Sequence, residues 1–110
     1  MIVRGTTPGF TFLIPSVYLH NEIAQGYVTF RQRDVIITKT FTDADIQRGG
    51  EFGKVEIALT QEETYRFKFY SEMYKNVILV QIKTKDVEGS IYASDIMTEN
   101  VGLALYEETI

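Results

Sequence analysis

Leu59-Thr60-Gln61-Glu62-Glu63-Thr64 is the stretch on which the reading of this chain turns. Residues 54–60, Lys-Val-Glu-Ile-Ala-Leu-Thr, run into it with strict alternation, so Val55, Ile57 and Leu59 share the buried face of a strand while Lys54, Glu56 and Thr60 do not. Thr60 and Glu63 then stand at capping-box spacing. The threonine hydroxyl can accept from the amide three residues on, and the glutamate can reach back to the cap amide. Acidic Glu62 and Glu63 in a first helical turn also suit its positive end. The strand therefore ends in a short helix from Gln61 to Phe67, or a longer one reaching Tyr74, before a new strand begins.

Upstream, Pro8 and Pro15 bracket a short strand in which Phe10, Phe12 and Ile14 share a face, because proline cannot donate to a sheet ladder. Residues 17–25 form a helical turn or a loop. Residues 26–32 and 35–41 are rich in β-branched and aromatic side chains and are separated only by Arg33-Asp34, which predicts a tight antiparallel hairpin. Residues 43–53 are polar and glycine-containing, a loop with at most one helical turn at 43–46. Downstream, residues 77–84 are almost continuously apolar and read as a central strand. Asp86-Val87-Glu88-Gly89 makes a turn, residues 90–94 pair back, and residues 96–105 supply a last strand with Val101, Leu103 and Leu105 on one side. The final residues, Glu107-Glu108-Thr109-Ile110, are expected to fray.

The chain has 110 residues, which suits one domain spanning 1–110. Six or seven short strands with hairpin links predict a mainly all-β fold: an antiparallel β-sandwich, Ig-like, or a partly open barrel, with one short helix after the fourth strand. Parallel βαβ units do not fit, since no crossover helix of adequate length separates most strand pairs. Aromatic residues make up 13% of the chain with no tryptophan, a mixture that packs well on pleated surfaces.

Composition also bears on function. A formal net charge of −4 with scattered Lys and Arg argues against nucleic acid as a partner, which needs a clustered basic face. With no cysteine there is no disulfide frame and no thiolate site. No run approaches the roughly 20 apolar residues of a membrane span, and the N-terminus does not read as a signal peptide. The expected location is a cytoplasm, unless a particle or cell lysis carries the protein out.

No stretch offers catalytic chemistry. His20 is the only histidine and reads as loop surface, having no second histidine or thiol to complete a zinc set. Asp43, Asp45 and Glu51 share a glycine-containing loop, yet Ala44, Ile46, Gln47 and Arg48 break any calcium-loop pattern. Glu62-Glu63 and Glu107-Glu108 are adjacent pairs and do not face each other across a substrate. Gly49-Gly50-Glu51-Phe52-Gly53-Lys54 lacks the ending of a phosphate loop. No catalytic, metal-binding or cofactor-binding residue is expected. The one unusual concentration is aromatic: Tyr65, Phe69, Tyr70 and Tyr74, interleaved with Arg66, Lys68 and Lys75. On a helix, Arg66, Tyr70 and Tyr74 would share a face. Such rings serve as rim packing, as a protein interface or as a stacking platform for sugars or bases.

Several blocks occur in a telling order: Val3-Arg4-Gly5-Thr6-Thr7-Pro8 leading into Phe10-Thr11-Phe12, then Tyr27-Val28-Thr29-Phe30-Arg31-Gln32, Ile37-Thr38-Lys39, Leu59-Thr60-Gln61-Glu62-Glu63-Thr64, Val80-Gln81-Ile82-Lys83 and Ala93-Ser94-Asp95-Ile96. In this order, over nearly the whole chain, the sequence resembles small proteins encoded by tailed phages and prophages of Gram-positive (Firmicutes) gut bacteria. More distantly, it is similar to the N-terminal β-sandwich of siphophage baseplate upper proteins. The resemblance implies a non-enzymatic structural or assembly role in the tail or baseplate, with other tail proteins or further copies of the chain as partners. It also implies a place in the host cytoplasm during assembly, or in the virion. The chain departs from the family pattern between Phe67 and Asn76, where the tyrosines lie. The competing expectation is a carbohydrate-binding, Ig-like module that touches the host cell wall through those rings. An enzyme ranks behind both.

Overall fold

The computed structural model describes residues 1–107, and they form two facing β-sheets and a single short α-helix. The strands are β1 (Ile2–Val3), β2 (Gly9–Pro15), β3 (Ile23–Gln32), β4 (Val35–Phe41), β5 (Ile46–Gly49) and β6 (Phe52–Ala58). Helix α1 (Gln61–Arg66) comes next, followed by β7 (Val77–Asp86), β8 (Ile91–Ala93) and β9 (Met97–Gly102). The larger sheet has six strands in the order β1-β9-β7-β3-β4, with β8 sharing one edge of β7; the smaller has three, β2-β6-β5. All pairings are antiparallel except that of β1 with β9, where Ile2 faces Val101. The arrangement is a sandwich-like, mainly β fold.

Alternation builds the core from both sides. Val55, Ile57 and Leu59 are buried as their spacing requires, together with Phe12 and Ile14. From the larger sheet Val28, Phe30, Ile78, Val80 and Ile82 meet them. The rings of Phe10 and Phe30 stand 5.4 Å apart across the interior, close enough for a tilted aromatic contact. The β3–β4 hairpin turns through Arg33 at φ 55°, the left-handed conformation that a tight two-residue connection demands.

Five sequence expectations need correction. The helix follows the sixth strand, not the fourth, because β1 and β5 are too short to show periodicity. Residues 43–53, expected as loop, contain β5, whose Ile46 is buried opposite Val55. The last strand stops at Gly102, and while Val101 is buried, Leu103 and Leu105 are exposed. Helix α1 ends at Arg66 and does not run to Tyr74: Phe67 leaves it at ψ 145° to place its ring wholly inside the core. Glu107, expected to fray, accepts both of its hydrogen bonds from Arg4 Nη1 at 2.8 Å; residues 108–110 of that expectation lie outside the described residues.

A candidate docking surface on the loop after the helix

The Thr60 cap forms in both directions. Glu63 N–H donates to Thr60 Oγ1 at 3.1 Å, and Thr60 N–H donates to Glu63 Oε1 at 2.8 Å. Lys39 on β4 adds an ion pair of 2.8 Å to the same oxygen. Burial alone would raise the Glu63 pKa, but the Lys39 ammonium and the Thr60 amide outweigh it and hold the carboxyl below its ordinary value. The opposite side of α1 docks on the N-terminal segment, with Gln61 Nε2 donating to Gly5 O at 2.9 Å and Thr64 Oγ1 to Thr6 O at 2.8 Å.

This docking separates the four aromatic residues that the sequence groups together. Tyr65 lies against Gly5, with the Arg4 guanidinium 5.6 Å from its ring centre. Arg4 also donates from Nε to Phe67 O at 2.7 Å, so Tyr65 belongs to the packing of the helix on the chain start. Phe69, Tyr70 and Tyr74 sit on residues 68–76, an extended connection closed by one 3₁₀ turn at Met73–Asn76. Arg66, Tyr70 and Tyr74 therefore share no helical face.

The loop is nonetheless fixed, by two buried carboxamides. Gln32, 1% exposed at the end of β3, accepts from Lys68 N–H at 2.7 Å and donates from Nε2 to Lys68 O at 2.6 Å and Lys75 O at 3.0 Å. Asn76, also buried, accepts from Tyr70 N–H at 2.6 Å and donates to Tyr70 O at 2.8 Å. A carboxamide carries an acceptor and two donors, so it can satisfy a peptide group as a neighbouring strand would. Sequence reasoning passed over both residues; the only sign was a polar side chain at the end of each apolar run.

Held this way, Tyr70 is half-buried with the Arg33 guanidinium 5.8 Å and the Lys75 ammonium 5.7 Å from its ring centre. Lys75 also lies 5.9 Å from the ring of Tyr74, which is 73% exposed. Arg31, Arg33, Lys68 and Tyr70, with Asp34, line a shallow open surface beside the hairpin turn. It is a cationic, aromatic patch on a protein whose net charge is negative.

A second aromatic feature lies elsewhere. Tyr18 and Tyr92 stack at 4.3 Å beside a depression of about 240 Å³ that His20, Asn21 and Asp86 also line. Burial, then the nearness of Tyr18 and Asp95, raises the Tyr92 pKa. Asp86 is occupied by its own turn, accepting from Glu88 N–H and Ser90 N–H at 2.9 Å. The loop carboxylates are similarly engaged: Asp43 accepts from Arg48 and from Ile23 N–H, and Asp45 closes a cap on Thr42. Among the described residues no group of three or more His, Cys, Asp or Glu is placed to hold a metal ion, and no helix is long and apolar enough to cross a membrane. No protein-family model, curated protein or solved structure matches this chain.

Proposed function

We propose that the chain is a non-enzymatic structural or assembly protein of a phage tail or baseplate, which acts by docking onto other tail proteins through the loop bearing Tyr70 and Tyr74. The observation that carries this reading is the fixed placement of Tyr70 between Arg33 and Lys75 by Gln32 and Asn76. Tyrosine and arginine are the side chains that dominate binding hot spots, and a surface already ordered loses little entropy on association. Its cations favour an acidic face on the partner. The phage context is supported by the ordered sequence blocks. The strand order supports an Ig-like sandwich: β2-β6-β5 follows the order B-E-D, and β9-β7-β3-β4 the order G-F-C-C′. The departure is β1, which joins the sheet of the last strand.

Mass spectrometry of purified virions from a lysogen encoding the chain tests the role. Peptides are expected in the particle at a fixed ratio to the major tail protein. Combined Tyr70→Ala and Tyr74→Ala substitution is expected to lower that ratio at least tenfold with thermal melting unchanged. Incorporation at the wild-type ratio would remove this surface from the proposal.

A second reading, a module that binds host cell-wall glycans, is favoured by the Tyr18–Tyr92 pair with Asn21 at the loop end of the sandwich. Glycan-array binding that Tyr18→Ala abolishes would support it; a blank array would remove it.

A further inference from the structure

The smaller sheet is open along β2. This strand pairs with β6 on one side, and among the described residues no strand pairs on the other. Pro8 O accepts from Leu59 N–H at 3.0 Å and Ser16 N–H donates to Glu51 O at 2.9 Å, so even-numbered residues of the strand turn their backbone groups toward β6. The amides and carbonyls of Gly9, Thr11 and Leu13 therefore point to the open side. Sheet edges in monomeric proteins are blunted by charge, proline or a bulge; residues 9–14 contain none of these, and only the last residue of the strand, Pro15, has no amide to offer on the open side. The other seven-residue edge, β4, is guarded: Lys39 is ion-paired on it, and Arg66 covers Ile36 O.

Beside the open edge, between the two sheets, lies a cleft of about 380 Å³. Phe10, Phe12, Val80, Ile82 and Met97 give it apolar walls, and no residue of β6 lines it, so it opens on the unpaired side. A strand added to β2 would send every second side chain into this cleft.

The same chain carries a segment suited to that place. After β9, Leu103 and Leu105 recur at strand spacing and are 58% and 98% exposed, separated by the small Ala104. Glu107 at the far end of the segment pairs with Arg4 in an exposed ion pair, an interaction of the kind that exchanges readily with solvent. Within one copy, the tail leaves β9 beside Arg4, whose N–H bonds Gly102 O, while the cleft is lined by the opposite end of β9, at Met97, Thr98 and Glu99.

We propose that residues 103–107 of one copy add as a strand to β2 of a second copy, with Leu103 and Leu105 seated in the cleft between the sheets. Donor and acceptor are different surfaces, and the contact is heterologous: it propagates from copy to copy and closes only as a ring. This inference rests on the sheet edge and not on the Tyr70 surface.

Sedimentation velocity over a concentration series tests it with three proteins: the wild-type chain, an acceptor variant Leu13→Lys and a donor variant Leu103→Asp/Leu105→Asp. All three substituted positions are exposed, and matching circular dichroism and melting would show the fold intact; Thr11→Lys serves as a second acceptor variant. Wild type is expected to form species larger than a dimer as concentration rises, and each variant alone to stay monomeric. Mixing the two variants is expected to yield a one-to-one dimer that grows no further, because each supplies what the other lacks. A wild-type chain that is monomeric throughout would overturn the proposal, as would association that survives either variant. Variants that are each monomeric but do not combine would also overturn it, and association surviving in the donor variant alone would assign the contact to β2 pairing with itself.

Discussion

Gln32 shows how one side chain replaces a missing strand. Its amide satisfies Lys68 on both peptide groups and Lys75 on one, from a position sealed from water. Gln32→Leu keeps the volume and strands those partners, with an expected loss of about 2–4 kcal/mol in chemical denaturation. Gln32→Glu retains the acceptor for Lys68 N–H but offers no donor to either carbonyl and buries a charge, so it should be at least as damaging. A loss under 0.5 kcal/mol in the leucine variant would mean that water or a shifted loop takes over the role. Gly5 makes a separate demand. It holds φ at 76° with the Tyr65 ring against its α-carbon, so Gly5→Ala meets both backbone strain and a steric clash. The expected cost is about 2–3 kcal/mol, and Tyr65→Ala in the same background should relieve the steric part alone.

At the scale of elements, what could be read locally was read well. The capping box, the β3–β4 hairpin and the alternation of β6 are each written in adjacent residues, and Thr60→Ala is expected to destabilise the protein by about 1 kcal/mol by freeing the Glu63 amide. Most of the pieces that escaped exist only through partners distant in sequence. β1 is two residues whose status as a strand comes from Val101 and Gly102. β5 escaped for another reason: its partner Val55 is only a turn away, but Ile46 is its one buried residue, too little to show alternation. The 68–76 loop looked helical because its aromatic spacing suits a helix, but Phe67 gains more by entering the core, and Gln32 and Asn76 then satisfy the freed backbone. The aromatic site was legible in composition and illegible in geometry, since Tyr65 faces Arg4 while Tyr70 faces Arg33 and Lys75. This origin has a measurable consequence. The amides of Lys68 and Tyr70, though in a loop, should exchange with solvent as slowly as strand amides, and Asn76→Ala should release Tyr70 while leaving the amides of β7 protected. Fast exchange at both in the wild-type protein would contradict the clamp.

Across the whole molecule, two carboxylates tie the parts together and set its response to acid. Asp43 accepts from Ile23 N–H on β3 of the larger sheet and from Arg48 on β5 of the smaller. Glu63 joins α1, which follows the smaller sheet, to Lys39 on β4 of the larger. Arg48 and the Ile23 amide hold the Asp43 pKa down, and Glu63 is lowered despite its burial. The unfolded chain therefore takes up these protons at higher pH than the folded one, and protonation favours unfolding. Their contribution is complete above the ordinary values of 3.8 and 4.5 and is lost as pH falls through the folded values beneath them. The melting temperature is thus expected to hold from neutrality to about pH 5 and to fall progressively below about pH 4.5. The sequence pI of about 4.9 lies at the edge of that window, where charge repulsion between molecules is weakest and the open β2 edge is most prone to pairing. Association there would raise apparent stability with protein concentration, whereas the carboxylate effect is independent of concentration, so melting at two concentrations separates them. Asp43→Asn with Glu63→Gln should lower stability at neutral pH and flatten the acid limb. If the limb keeps its wild-type slope in that double variant, other carboxylates govern the acid response and the two ties between the sheets do not.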